Sequence, residues 1–100
     1  MTSTNTDEIH TDEAAMAICA IRYCIGRMSY ITSDGQRWAR KYGRQSRHVR
    51  KVIIRDLQEA AETADRMRAS GSEYSPLGME MDERGWREVL AELKAMDASA

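Results

Sequence analysis

The chain has no phenylalanine, one proline, two cysteines, two histidines and no long apolar run. A membrane-spanning helix needs roughly 18 consecutive apolar residues, so a membrane protein is not expected. Seven methionines in place of phenylalanine suggest a core of adaptable aliphatic side chains. Cys19 and Cys24, five residues apart on a helix, would face different sides and exceed the about 7 Å between Cα atoms that a disulfide tolerates. They read as buried free thiols. With no CxxC pair and only His10 and His48 as imidazoles, no zinc site or other cofactor is expected. There is also no Walker loop, no G-x-S-x-G elbow and no H-E-x-x-H, so an enzyme is not expected. Met1 to Glu8 lacks the basic and apolar regions of a secretory signal, which makes the cytoplasm the expected location.

What the chain does have is helical periodicity. One hundred residues suit one domain with an ordinary core. From Ser46 to Gly71, residues Val49, Val52, Ile53, Leu57, Ala60, Ala64 and Met67 recur at three- and four-residue steps and form one apolar arc. Ser46 is a good N-cap and Ser70-Gly71 a good stop, giving a helix of about 23 residues and roughly 35 Å. A first helix is expected after Thr11 as cap, with Ala14, Ala17, Ile18, Ile21, Cys24, Ile25 and Met28 on one side. Met16, Tyr23 and Arg27 fall on the other, joined by Tyr30 if the helix continues. Residues 27–32 read as a helix end fraying into a linker.

Ser33 and Gln36 have capping-box spacing, which predicts a short second helix from Ser33 to about Gly43, where glycine permits a bend. Residues 70–79, with three serines and Pro76, read as a surface loop. Asp82 is the expected cap of a last helix, with Met81 stapled to Trp86 and Val89, Leu90, Leu93 and Met96 continuing its buried stripe. Asp97 to Ala100 should fray. The sum is an all-α fold: a small bundle of about four helices packed on one long central helix, without a sheet. Residues 1–10 are read as a mobile tail and 11–97 as a single helical domain.

Charge is the second organising feature. Residues 1–21 hold four acids and no lysine or arginine, residues 22–55 hold ten bases and one acid, and residues 56–100 hold eleven acids and five bases. Net charge is only −1, so folding can cancel much of this asymmetry. The long helix is basic in its first half, against the direction the helix dipole favours. Local helix stability therefore does not explain Arg47, Lys51 and Arg55.

The segment Ala20-Ile-Arg-Tyr-Cys-Ile-Gly-Arg-Met-Ser-Tyr-Ile31 resembles the opening of a group of small, uncharacterised phage and prophage proteins. Their signature is Arg-Tyr-x-x-Gly-Arg-x-Ser/Thr-Tyr, matched by Arg22, Tyr23, Gly26, Arg27, Ser29 and Tyr30. Asp82 with Trp86, Val89, Leu90 and Leu93 resembles the acidic turn and Trp-Leu helix of their ending. The resemblance implies a mobile-element setting and, for a phage gene, residence in the host cytoplasm. Small accessory proteins from that setting often disable a host machine such as a CRISPR effector. An anti-CRISPR-like inhibitor is the corresponding expectation.

Tyrosine, tryptophan and arginine are enriched at interface hot spots. The favoured reading is a non-catalytic protein-binding module acting on a host protein or ribonucleoprotein complex through a basic and aromatic surface. Its candidate residues are Arg22, Tyr23, Arg27, Tyr30, Arg37, Arg40, Lys41, Arg44, Arg47, Lys51 and Arg55. The alternative is direct DNA or RNA binding, with Trp38, Tyr42 and His48 among the bases and a helix-turn-helix outline across Gly43. A homo-oligomer stays open on either reading.

Overall fold

A computed structural model describes residues 9–99 of the chain, so the tail expected at residues 1–10 lies mostly outside the described residues. The fold is all-α, with four helices: α1 (Thr11–Cys24), α2 (Ser29–Gln45), α3 (Arg47–Ala69) and α4 (Glu80–Ser99). No strand occurs among the described residues. α1 and α4 each pack on both α2 and α3 and their backbones do not approach one another, so the α2–α3 pair is the spine and the other two helices are its flanks; Cys24 and the Trp86 ring come together over Gly35. Gln36 lies against Gly85 and Leu93 against Gly43, which sets α4 parallel to α2. Ion pairs from Glu83 to Arg68, Arg87 to Asp65 and Asp97 to Arg50 set it antiparallel to α3.

The long helix forms where its periodicity requires. The Ser46 side chain accepts from the Val49 N–H, satisfying a donor that the helix itself leaves open. Val49, Ile53, Leu57 and Ala64 are buried as expected, but Ala61 and Arg50 join them, while Val52, Ala60 and Met67 are only half-buried. The buried arc is thus rotated slightly from the expected one. In α1, His10 rather than Thr11 is the cap, its Nδ1 accepting from the Asp12 N–H. Ile9, next to it, packs on the core.

Of residues 27–32 only the first two lie in a linker; 29–32 form the first turn of α2. α1 stops at Cys24, the connection occupies residues 25–28, and α2 begins at Ser29. Gly26 has a φ of 74°, and any side chain there would run into the Pro76 carbonyl. The turn between α1 and α2 is therefore seated on the loop before α4. Ser33 is inside α2 instead of capping it, and Met28 stands in the cap position with no capping side chain. Gly43 does not bend the chain; it is a helical residue lying against Leu93. With Gly35 and Ala39 it makes a small-residue groove along α2, at four-residue steps, into which Trp86 and Leu93 of α4 fit.

Trp86 is the largest fully buried side chain. Its Nε1 finds no acceptor among the described residues, so the indole is held for its volume. Met81 is 81% exposed and makes no staple, because α4 begins at Glu80 and Asp82 lies within it. Nor does the C-terminus fray at Asp97: α4 continues to Ser99, and Asp97 is bonded to Arg50. Cys24 is buried, as expected of both thiols, whereas Cys19 is exposed. Burial and the nearby Asp34 raise the Cys24 thiol pKa, which keeps it protonated and inert.

Candidate interaction surfaces

Several of the candidate bases are committed to acids within the fold. The Arg22 guanidinium, on α1, lies 2.6 Å from the Asp56 carboxylate of α3. Arg40 forms a two-pronged pair with Glu92, its Nε and Nη2 donating at 3.0 and 2.9 Å to Oε2. Those hydrogen bonds hold the Glu92 carboxyl below its ordinary pKa against a smaller opposing effect of burial. Arg37 pairs locally with Asp34 at 2.7 Å. Lys51 reaches Asp97 at 3.7 Å, and Arg55 reaches Asp56 at 3.8 Å. The last two are long contacts made by exposed cations and are worth little.

Lys41, Arg44, Arg47 and Arg27 have no ion-pair partner among the described residues. The first three gather at one corner, because Ser46 alone separates α2 from α3 and leaves Arg44 and Arg47 three residues apart. Lys41 stands one turn before Arg44, and its ammonium is 5.3 Å from the Tyr42 ring. Lys51 and Arg55 continue the series outward along α3. Tyr30, Arg37, Lys41 and Arg44 line the exposed side of α2, while Arg47, Lys51 and Arg55 line that of α3. Each stripe lies opposite its helix's buried side, so the two face different directions and converge only at the corner.

The basic corner is anchored by Arg50, which is not among the candidate residues. Arg50 is 8% exposed; its Nε donates to Asp97 at 2.6 Å and its Nη1 to the Gly43 carbonyl at 2.7 Å. It thereby ties the end of α2, the start of α3 and the end of α4 together. The hydrogen bond from Arg50, reinforced by Lys51 and Arg47, holds the Asp97 carboxyl below its usual range.

A second surface lies at the other end of α2. Tyr23 and Tyr30 are 59% and 68% exposed. The Arg27 guanidinium sits 4.4 Å over the Tyr23 ring while its Nε donates to the Tyr23 carbonyl at 2.7 Å. Such a stack is worth about 0.5–1 kcal/mol at an exposed site. Met16, 73% exposed, and Cys19 extend this surface along α1.

An open groove of about 780 Å³ crosses the loop before α4. Its central charges satisfy one another: Glu83 accepts from Arg68 at 3.0 Å and from Arg87 at 2.9 Å. No group of three His, Cys, Asp or Glu side chains suited to a metal ion occurs among the described residues. No described helix is long and apolar enough to cross a membrane. Trp38 and Tyr42 are half-buried against the core and do not form an open stacking platform. No protein-family model, curated protein or solved structure matches the chain.

Proposed function

We propose that the protein is a non-catalytic binding module whose basic corner, Lys41, Arg44 and Arg47 with Lys51 and Arg55, docks on an acidic surface of a host protein or ribonucleoprotein complex. The observation that carries this reading is the separation of the bases into two groups. Arg22, Arg40 and Arg50 are spent on acids of neighbouring helices, whereas Lys41, Arg44 and Arg47 gather across the α2–α3 junction and form no ion pair among the described residues. Only Arg47 stands at a helix start, against the dipole of α3, while Lys41 and Arg44 lie at the C-terminal end of α2, where the dipole favours them; the cost of grouping the three is their mutual repulsion. A partner of opposite sign removes that cost on binding.

A protein target fits better than a nucleic-acid backbone. A phosphate track is best matched by an unbroken run of cations, and here Asp34, Asp56 and Asp97 sit beside Arg37, Arg55 and Lys51. Mixed charge is the ordinary pattern at the rim of a protein interface. The mobile-element setting implied by the phage-protein resemblance makes a host defence complex the target class, and the protein its inhibitor or modulator.

The test is a tagged pull-down from host lysate, read by mass spectrometry with and without nuclease. One host complex should be captured by the native chain in both conditions and lost with the triple variant Lys41→Glu, Arg44→Glu, Arg47→Glu. Arg37→Glu, on the same helix but paired with Asp34, should retain most of the capture. Capture that vanishes with nuclease would reassign the corner to nucleic acid, and capture indifferent to the triple variant would remove the corner from recognition.

A further inference from the structure

α1 has an apolar inner side and a largely apolar outer one. Its middle reads Ala14-Ala-Met-Ala-Ile-Cys-Ala-Ile21 without a single polar side chain, although a helix on the surface of a small protein ordinarily turns charges outward. Met16, Cys19 and Tyr23 fall at four- and three-residue steps on the side away from the core, and all three are exposed. That spacing is the seam of a helix built to pack on another helix. Among the described residues no helix covers that side: α1 packs inward on α2 and α3, and Met16, Cys19 and Tyr23 stay exposed.

The charges around the seam say what covers it. At its N-terminal end stand Asp12 and Glu13, and at its C-terminal end Arg27, held over the Tyr23 ring. None of the three has an ion-pair partner among the described residues. Acid at one end, base at the other and an apolar middle is a pattern complementary to its own reversal. An isologous two-fold interface makes that demand of a surface.

We infer that two copies of the chain associate through α1, packed antiparallel about an axis between Cys19 and Ala20. In that register Met16 meets the partner's Tyr23, Asp12 meets the partner's Arg27, and the small Cys19 and Ala20 let the helices approach closely at the axis. The alignment is fixed twice over, since the apolar pair and the charged pair select the same offset. A helix of 14 residues is about 21 Å long. The contact therefore belongs to the small class, on the order of 1,000 Å² in total, and the dimer dissociates at about micromolar concentration. The interface leaves the basic corner at the far end of α2 free, so the dimer presents two such corners and gains avidity for a repetitive target.

The experiment is sedimentation equilibrium of the full chain from about 1 to 300 µM, with far-ultraviolet circular dichroism to confirm that each variant stays helical. The native chain should pass from monomer to dimer across that range. Asp12→Arg and Arg27→Asp should each weaken dimerisation at least tenfold, and the double reversal should bring it back within about threefold of native, because both charge pairs re-form with opposite sense. Met16→Glu should abolish it. A short bismaleimide should link native chains through Cys19, Cys24 being buried, and should fail on Cys19→Ala. A chain that is monomeric at 300 µM, or a dimer that ignores both single reversals, overturns the proposal.

Discussion

The two flanking helices hold matching places and are finished differently. α1 and α4 each lie on the α2–α3 spine, and their backbones do not approach one another. α4 contributes Trp86, Val89, Leu90 and Leu93 to the core and seals both margins with charge, through Glu92 to Arg40 on α2 and through Glu83, Arg87 and Asp97 to Arg68, Asp65 and Arg50 on α3. α1 contributes mostly small side chains, Ala14 and Ala17 beside Ile18, Ile21 and Cys24, and one cross-helix ion pair, Arg22 to Asp56. A buried leucine or tryptophan stabilises by a few kcal/mol and an alanine by far less. α4 thus brings more bulk and more charge to the fold, while α1 packs on the same two helices with smaller side chains and keeps an uncovered outer seam.

The largest effect that tests this contrast is Trp86→Ala. Its ring fills the groove at Gly35 beside Cys24, so removal leaves a cavity at the junction of three helices and should cost about 3–5 kcal/mol. Met16→Ala, the equivalent truncation on the outer side of α1, should change monomer stability by less than about 0.5 kcal/mol. Urea denaturation at a concentration that keeps the chain monomeric checks both. Comparable losses at the two positions would mean that α1 is as deeply committed as α4.

Arg50 gives the next largest effect, and it also shows where the sequence was opaque. Periodicity located α3, its Ser46 cap and most of its buried side, because apolar spacing and capping chemistry are local. Arg50 stands outside the apolar arc read from the sequence, because nothing local shows that an Arg at its edge has an acid awaiting it at Asp97, 47 residues away. The same reason hid the groove of Gly35, Ala39 and Gly43. Read alone, those glycines suggest a turn or a late helix start, and only the bulk of Trp86 and Leu93 opposite makes them helix-packing residues. Four-residue steps of small residues were the available signal. Among the candidate bases, the sequence showed the clustering of charge but not the division into paired and unpaired, since pairing depends on contacts across the fold. Arg50→Ala should cost about 1.5–3 kcal/mol through loss of the charged bond to the buried Gly43 carbonyl. If Arg50→Ala is as stable as the native chain, the tie between α2, α3 and α4 is not a structural one.

The smallest effect separates the flanks by pH. Burial pushes the Glu83 carboxyl up, but hydrogen bonds from Arg87, Ser75 and Arg68 together outweigh it and hold its pKa below the ordinary 4.5. Glu92 is held down in the same direction by Arg40. A carboxyl depressed by folding binds its proton more readily in the unfolded chain, so it stabilises the native state at pH values above the unfolded pKa. That contribution fades as pH falls from about 4.5 through the lower folded value. Thermal unfolding should therefore be nearly flat between neutrality and about pH 5 and decline below it. Arg68→Met with Arg87→Met should make the acid limb shallower, because Glu83 then keeps only the Ser75 hydrogen bond against its burial, while Glu92 and Asp97 stay held down by Arg40 and Arg50. Reversing Asp12 on α1 should leave the limb in place. If instead Asp12→Arg removes the acid sensitivity and the Arg68 and Arg87 changes do not, the charged seal belongs to the α1 flank, and α1 is the helix that holds the fold.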